Sequence, residues 1–216
     1  MTNRLYHVTP LHYLPHVLRS GALYAQSVLA GRGIAPRPTA ARRDRMLGLA
    51  DWVHLSFAPD TPLLRDKLKL GYSHALLAFE REAVLAMPQV ALLPYNTKAW
   101  RSRAACQPVT DAAEKAALLR RHADTGRFPS LEVLVHYGLD LASLVQVAFV
   151  TDEECAWVAD LLHTLALPPP APLVTAPQLF PSVEGYTPTT GGQITAYFAV
   201  CRASGSLLPP PAIPFD

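Results

Sequence analysis

Apolar and polar positions alternate with period two through Leu131-Glu132-Val133-Leu134-Val135-His136, just after Phe128-Pro129-Ser130. That pattern predicts a half-buried β-strand. Leu131, Val133 and Val135 share one face, and Glu132, Leu134 and His136 share the other. Glu132 is thereby a carboxylate set into an apolar strand, where an ionised group is costly to desolvate unless something positive pairs with it. Two readings stay open on this strand alone. Glu132 is either an edge-strand or ion-paired structural residue, or a catalytic carboxylate that waits for a cationic transition state.

The same patterning predicts the other elements. Leu5-Tyr6-His7-Val8 reads as a first strand; Thr9-Pro10 then offers an N-cap and a first-turn proline for a helix through Leu11, Leu14, Val17 and Leu18 that ends at Gly21. Pro15 must lie in its first turns or mark a restart. Asp51–Phe57 is a second strand, followed by a proline-braced turn and a short helix around Leu63–Leu70 that stops at Gly71. His74–Glu80 is a near-continuous apolar run, hence a buried strand. Ala83–Met87 reads as a helical turn and Val90–Leu93 as a short strand. Beyond Gly138 come a core strand at Leu144–Thr151 and a helix at Asp152–Leu165, with acids in its first turn and an apolar stripe of Trp157, Val158, Leu161 and Leu162. Residues 167–216 are proline-rich and contain one strand-like run, Ile194–Val200. The expected organisation is a domain over residues 1–166 with a proline-rich extension, 167–216, packing on it.

Charge changes this picture. Residues 1–130 carry 18 lysines and arginines against 9 acids, whereas residues 131–216 carry Arg202 alone against 8 acids. A basic front suggests a polyanionic partner, with plain solvated charge as the ordinary alternative. Arginine alternates with glycine and proline over residues 31–38 and recurs as Arg42, Arg43 and Arg45 on a predicted basic helix, a composition suited to gripping phosphate. From Tyr95 to Phe128, Lys98, Arg101, Arg103, Lys115, Arg120, Arg121 and Arg127 are interleaved with Tyr95 and Trp100. Residues 95–110 read as loop and Asp111–His122 as helix. Aromatics among arginines suit stacking on unpaired bases, or else form an ordinary surface helix with a loop.

Three widely spaced cysteines suggest a reduced, cytoplasmic protein, and no apolar run is long enough to span a membrane. His12 and His16, the one i, i+4 histidine pair, flank Pro15 with no carboxylate close in sequence, so no metal is expected. Gly-rich phosphate loops, HExxH and GxSxG motifs are absent.

Three segments together resemble one family: Leu5-Tyr6-His7-Val8-Thr9 with Leu14-Pro15-His16-Val17-Leu18 and Gly21; Asp51-Trp52-Val53-His54-Leu55-Ser56-Phe57-Ala58-Pro59-Asp60-Thr61-Pro62-Leu63; and Leu131-Glu132-Val133-Leu134-Val135. In this order they resemble the DarT family of NAD-dependent DNA ADP-ribosyltransferase toxins. The likeness covers roughly residues 4–152, and its most specific part is the Phe57-Ala58-Pro59 turn. It implies an α+β, ADP-ribosyltransferase-type fold of two small packed, mostly antiparallel sheets flanked by helices. It also implies a monomer that takes NAD as substrate, single-stranded DNA (or RNA) as acceptor, and a macrodomain antitoxin as partner. Carried over, the resemblance makes Glu132 the catalytic glutamate, with Arg43 assisting. It places His7, Thr9, Arg42, Arg43, Ser56, Phe57 and Thr61 around NAD, and puts Tyr95, Lys98, Trp100, Arg101, Arg103 and Arg127 on the nucleic acid. Ser56 stands where an aromatic is expected, and Asp60 where a basic residue is expected.

The chemistry this anticipates is glycosyl transfer. Breaking the nicotinamide–ribose bond builds an oxocarbenium-like cation that a fixed carboxylate stabilises. The same carboxylate can orient the acceptor nitrogen or take its proton. The alternatives are transfer to RNA or protein, NAD hydrolysis, and a non-catalytic nucleic-acid-binding module that uses the basic front alone.

Overall fold

The strand that carries Glu132 is flanked on both sides. The structure, a computed structural model, describes residues 3–32, 38–125, 131–181 and 185–211. Phe128, Pro129 and Ser130 lie outside the described residues. The chain divides into two compact units, one comprising residues 1–5, 22–58 and 80–140, the other residues 6–21, 59–79 and 141–216.

In the first unit β3 (Trp52–Ser56), β5 (Val90–Leu93) and β6 (Glu132–His136) lie in the order β5-β6-β3. Both pairings are antiparallel, with Leu93 and Ser56 each opposite Glu132, and Val90 opposite Val135. Leu131 to Val135 are all buried, so the strand is covered on both faces rather than half-exposed. The alternation expected of it reflects Glu132 and the half-buried His136 at its end, not a solvent face. Leu134 packs with Leu47, Leu49, Ala91, Leu93 and Cys106, and Trp52 and Trp100 close the edge of that cluster. Leu47 ends α3 (Pro38–Leu47), the basic helix, and the chain then turns at Gly48 with φ 75°. Two short strands that the sequence pattern did not reveal, β2 (Ala22–Tyr24) and β7 (Gly138–Asp140), pair antiparallel, Tyr24 opposite Gly138. The short helices α2 (Gln26–Gly31) and α5 (Arg81–Leu85), and the longer α6 (Ala112–Thr125), complete this unit.

The second unit holds most of β1 (Arg4–Pro10), together with β4 (His74–Glu80) as far as Phe79, β8 (Leu144–Phe149) and β9 (Leu173–Thr175). β8 lies between β4, its antiparallel neighbour, and β9, its parallel one. Its core gathers Tyr6, Leu64, Leu68, Leu76, Ala148, Val150 and Phe180. Helices α4 (Pro62–Lys69) and α7 (Asp152–Thr164) start where side-chain oxygens cap them: Thr61 accepts from the Leu64 N–H, and Thr151 accepts from the Glu154 N–H. Mixed α and β elements with mostly antiparallel sheets are thus observed as expected.

Two expectations are corrected in this unit. β1 runs on through Thr9 and Pro10, and α1 (Leu14–Ser20) starts only after a turn, with Pro15 in its first turn, where its missing N–H costs nothing. The run Ile194–Val200 is not a strand but the middle of α8 (Gly191–Ser204). Its buried residues Ile194, Phe198 and Cys201 recur at helical spacing, and this face outweighs the strand preference of the β-branched residues between them.

Gly71 shows why one glycine ends α4. Its φ is 74°, and a Cβ there would lie 2.7 Å from the backbone oxygen of Thr187 and 2.6 Å from the Thr189 side chain. The Thr189 N–H donates to the Gly71 carbonyl at 2.8 Å. Gly71→Ala is expected to destabilise the protein by more than about 1 kcal/mol, since left-handed strain alone costs roughly that for an L-residue. A denaturant midpoint equal to that of the unsubstituted protein would contradict this.

Candidate active site

β6 delivers Glu132 from an interior position, and the residue keeps only 7% of its surface accessible. A carboxylate this buried needs donors, and three are present. Nδ1 of His54 lies 3.2 Å from Oε2. The Thr97 backbone N–H donates to Oε1 at 3.1 Å, and the Thr97 hydroxyl reaches the same oxygen at 3.4 Å. Both oxygens are therefore fixed, one from the neighbouring strand and one from the loop after β5. The carboxylate plane is set before any ligand arrives.

His54 extends the arrangement. It sits on β3 two residues from Ser56, on the face that Ser56 and Glu132 share by strand alternation. Its Nε2 lies 3.9 Å from Asp44 Oδ1, and Asp44 in turn accepts a bond from the Gln26 amide. The imidazole thus bridges two carboxylates. Burial alone would lower its pKa, but the hydrogen bond and charge of Glu132 and the charge of Asp44 outweigh it and raise the value above 6.5. Asp44 is raised as well, by burial first and by the charge of Glu132, with His54 and Arg43 opposing.

The loop that supplies Thr97 is clasped from α3. Arg43 donates Nε and Nη2 to the Thr97 carbonyl, at 3.2 and 2.9 Å, and Nη2 to the Trp100 carbonyl at 2.9 Å. The cation expected at NAD thus engages the backbone of the loop that holds the glutamate. Arg42 and Arg45 on the same helix are exposed. Within the loop the Trp100 indole N–H donates to the Tyr95 carbonyl at 3.1 Å, the two rings lie 6.0 Å apart, and Tyr95 is 52% exposed. Arg101 and Arg103 are exposed, and the Arg103 guanidinium lies against Gly48. Lys98 falls in a 3-10 turn, Thr97–Ala99, while Arg127 lies outside the described residues.

Ser56 stands opposite Glu132 across the β3–β6 pair and turns its hydroxyl back to the Ala58 carbonyl. Phe57 is half-buried. His7, Thr9 and Thr61 belong to the second unit: His7 is half-buried on β1, Thr9 is buried, and Thr61 caps α4. Asp60, also in that unit, pairs with Arg65 at 2.6 Å. His54, Asp44 and Thr97 were not singled out by sequence reasoning. For His54 a signal existed, since strand alternation from Ser56 puts it on the face of Glu132. For Asp44 and Thr97 none did, because Asp44 reaches His54 from a helix and Thr97 reaches the glutamate from a loop, both remote from Glu132 in sequence.

Among the described residues no set of three His, Cys, Asp or Glu side chains could hold a metal ion, and no helix is long and apolar enough to cross a membrane.

No family model and no curated protein matches the chain. Solved structures do. A Thermus sp. 2.9 DarT in complex with ADP-ribosylated single-stranded DNA superposes with a TM-score of 0.62 at 16% identity, over 83% of this chain and 96% of that one. The same protein in complex with NAD+ gives 0.59 at 15% identity, over 83% and 98%. A Thermosipho africanus DarTG in complex with ADP-ribose gives 0.62 at 14% identity, over 82% of this chain and 51% of that one. The chain therefore has the DarT-type ADP-ribosyltransferase fold.

The bridging histidine predicts a pH signature. A raised folded-state pKa stabilises fully below the unfolded value, here 6.5, and the contribution fades as pH rises through the folded value. Asp44, also raised, acts with the same sign in a window that opens at 3.8. Thermal unfolding followed against pH should show stability falling above about pH 6.5. His54→Gln, which keeps a donor but cannot titrate, should flatten that decline; an unchanged decline would rule out His54 as its source.

Proposed function

We propose that this protein transfers ADP-ribose from NAD to a nucleobase of single-stranded DNA, with Glu132 as the catalytic carboxylate. One observation carries the reading: on a DarT-type fold, a buried glutamate is held by both oxygens at the strand position where the sequence resemblance expects the catalytic residue. The Thermus relative solved with ADP-ribosylated single-stranded DNA supports the choice of acceptor, and the relative solved with NAD+ supports the donor.

The reaction breaks the bond between nicotinamide N1 and ribose C1′. Nicotinamide leaves neutral, taking the bonding pair, and C1′ turns positive. Glu132 faces that charge from a fixed position, and a preorganised anion in a water-poor site stabilises it without reorganising. The acceptor nitrogen then bonds to C1′ and releases its proton to Glu132 or to water. Of the residues that the resemblance assigns to NAD, Ser56 and Phe57 lie in the unit of Glu132 and take NAD contacts in this reading. Arg43, engaged by the Thr97 and Trp100 carbonyls, serves chiefly to position the loop, which leaves the exposed Arg42 and Arg45 as the helix cations for the pyrophosphate. Tyr95, Lys98, Trp100, Arg101, Arg103 and Arg127 meet the acceptor strand, rings on bases and cations on phosphates. A macrodomain that removes the modification is the partner implied by the resemblance.

Glu132→Gln preserves size and one acceptor oxygen while removing the charge. Transfer from labelled NAD to oligonucleotides should drop by about 10²–10³-fold, the usual loss when one electrostatic stabiliser is removed, with NAD affinity retained. Wild-type rates in that variant would discard the assignment. Parallel incubations with DNA, RNA and protein separate the acceptors, and modification confined to RNA or protein would overturn the DNA reading.

A further inference from the structure

At the end of β6 away from Ser130, three rings lie in sequence. Trp52 and His136 face each other across the strand pair with centroids 4.6 Å apart, and His136 stacks on Tyr137 at 3.8 Å with planes 28° apart. Tyr137 is 54% exposed and has φ 61°, a left-handed conformation in a residue with a bulky side chain. Its backbone is locked there: its N–H donates to the Asp51 carbonyl at 2.7 Å, and its carbonyl accepts from the Ala25 N–H at 2.9 Å. Glycine or asparagine would meet that φ with less strain. A tyrosine in this position is strained and yet buries little, so packing alone does not account for it. Beside it, Tyr24 pairs with Gly138, and the Arg32 guanidinium lies 3.9 Å over the Tyr24 ring.

We propose that Trp52, His136 and Tyr137, with Tyr24 and Arg32 alongside, form a stacking platform for an unpaired base of the acceptor strand, separate from the base that is modified. This rests on the nucleic-acid acceptor proposed above and adds a second point of attachment for it. His136 stands four positions along β6 from Glu132 and on the same face, about 13 Å away at roughly 3.3 Å per residue. Trp52 and Trp100 border one apolar cluster, and Trp100 touches Tyr95. Rings therefore border this cluster from two sides, Trp100 with Tyr95 on the loop after β5 and Trp52 with His136 and Tyr137 on the strands. Every base offers a π-face, so such a platform is tolerant of sequence. Asp51 and the exposed Asp140 stand close by along the chain. The platform's own share of binding is accordingly carried by stacking and depends little on salt.

The test is fluorescence anisotropy with single-stranded DNA of about 4 and about 16 nucleotides, site sizes at the two ends of the range for such grooves. Tyr137→Asn fits the backbone while removing the ring, and Tyr137→Phe keeps the ring. Wild type and Tyr137→Phe should bind the longer strand more tightly than the shorter. Tyr137→Asn should lose about tenfold on the longer strand, the loss expected for one stacked base. Its affinity for the short strand and its NAD hydrolysis should match wild type, and its thermal stability should equal or exceed that of wild type, since asparagine relieves the strain at this φ. Equal binding of the long strand by Tyr137→Asn and wild type overturns the platform and leaves the acceptor reading standing. A wild-type protein that neither binds nor modifies single-stranded DNA overturns the acceptor reading, and the platform with it.

Discussion

A single buried negative charge governs the first unit. Glu132 lies between two strands, with Ser56 and Leu93 directly opposite it, and its buried carboxylate can only accept and must be met by donors. The solution is to bring donors from both sides: an imidazole from β3, and a peptide N–H from the loop after β5. Each donor then needs support of its own. His54 gains a second carboxylate, Asp44, and the loop gains Arg43. Helix α3 supplies both from adjacent positions, so one turn of helix fixes both flanks of the glutamate.

That double duty changes the meaning of the arginine-rich helix. Read as composition, Arg42-Arg43-Asp44-Arg45 is a cationic patch awaiting phosphate. In the structure its two half-buried or buried members point to internal work, a loop clasp and a histidine partner, while Arg42 and Arg45 remain exposed. A guanidinium can cap two carbonyls in one plane where a lysine would reach one. The Arg43 interaction is thus geometric as well as electrostatic.

Much of the framework was legible in the sequence because local patterning and burial agreed. β4 was legible as an unbroken apolar run, α7 as an amphipathic helix with acids in its first turn, and β3 and β6 as strands, although β6 is buried on both faces. Where they disagreed, packing won. Ile194–Val200 has the composition of a strand, yet the spacing of its buried residues on α8 is helical. β2 and β7 are too short to carry a period of their own and exist only because each pairs with the other.

The sequence by itself determined that a carboxylate would lie in an apolar strand, and that cations and aromatic rings would precede it. Those are properties of residue type and local spacing. What only the tertiary structure decided is which groups meet that carboxylate. His54 is 78 residues away from it, Thr97 is 35 residues away, and the Asp44 behind His54 is farther still. Contacts across such separations follow from how strands pair and where a helix packs, and no local pattern records them. The same holds for Tyr137, whose positive φ and ring stack depend on backbone bonds to Asp51 and Ala25, both more than 80 residues earlier in the chain.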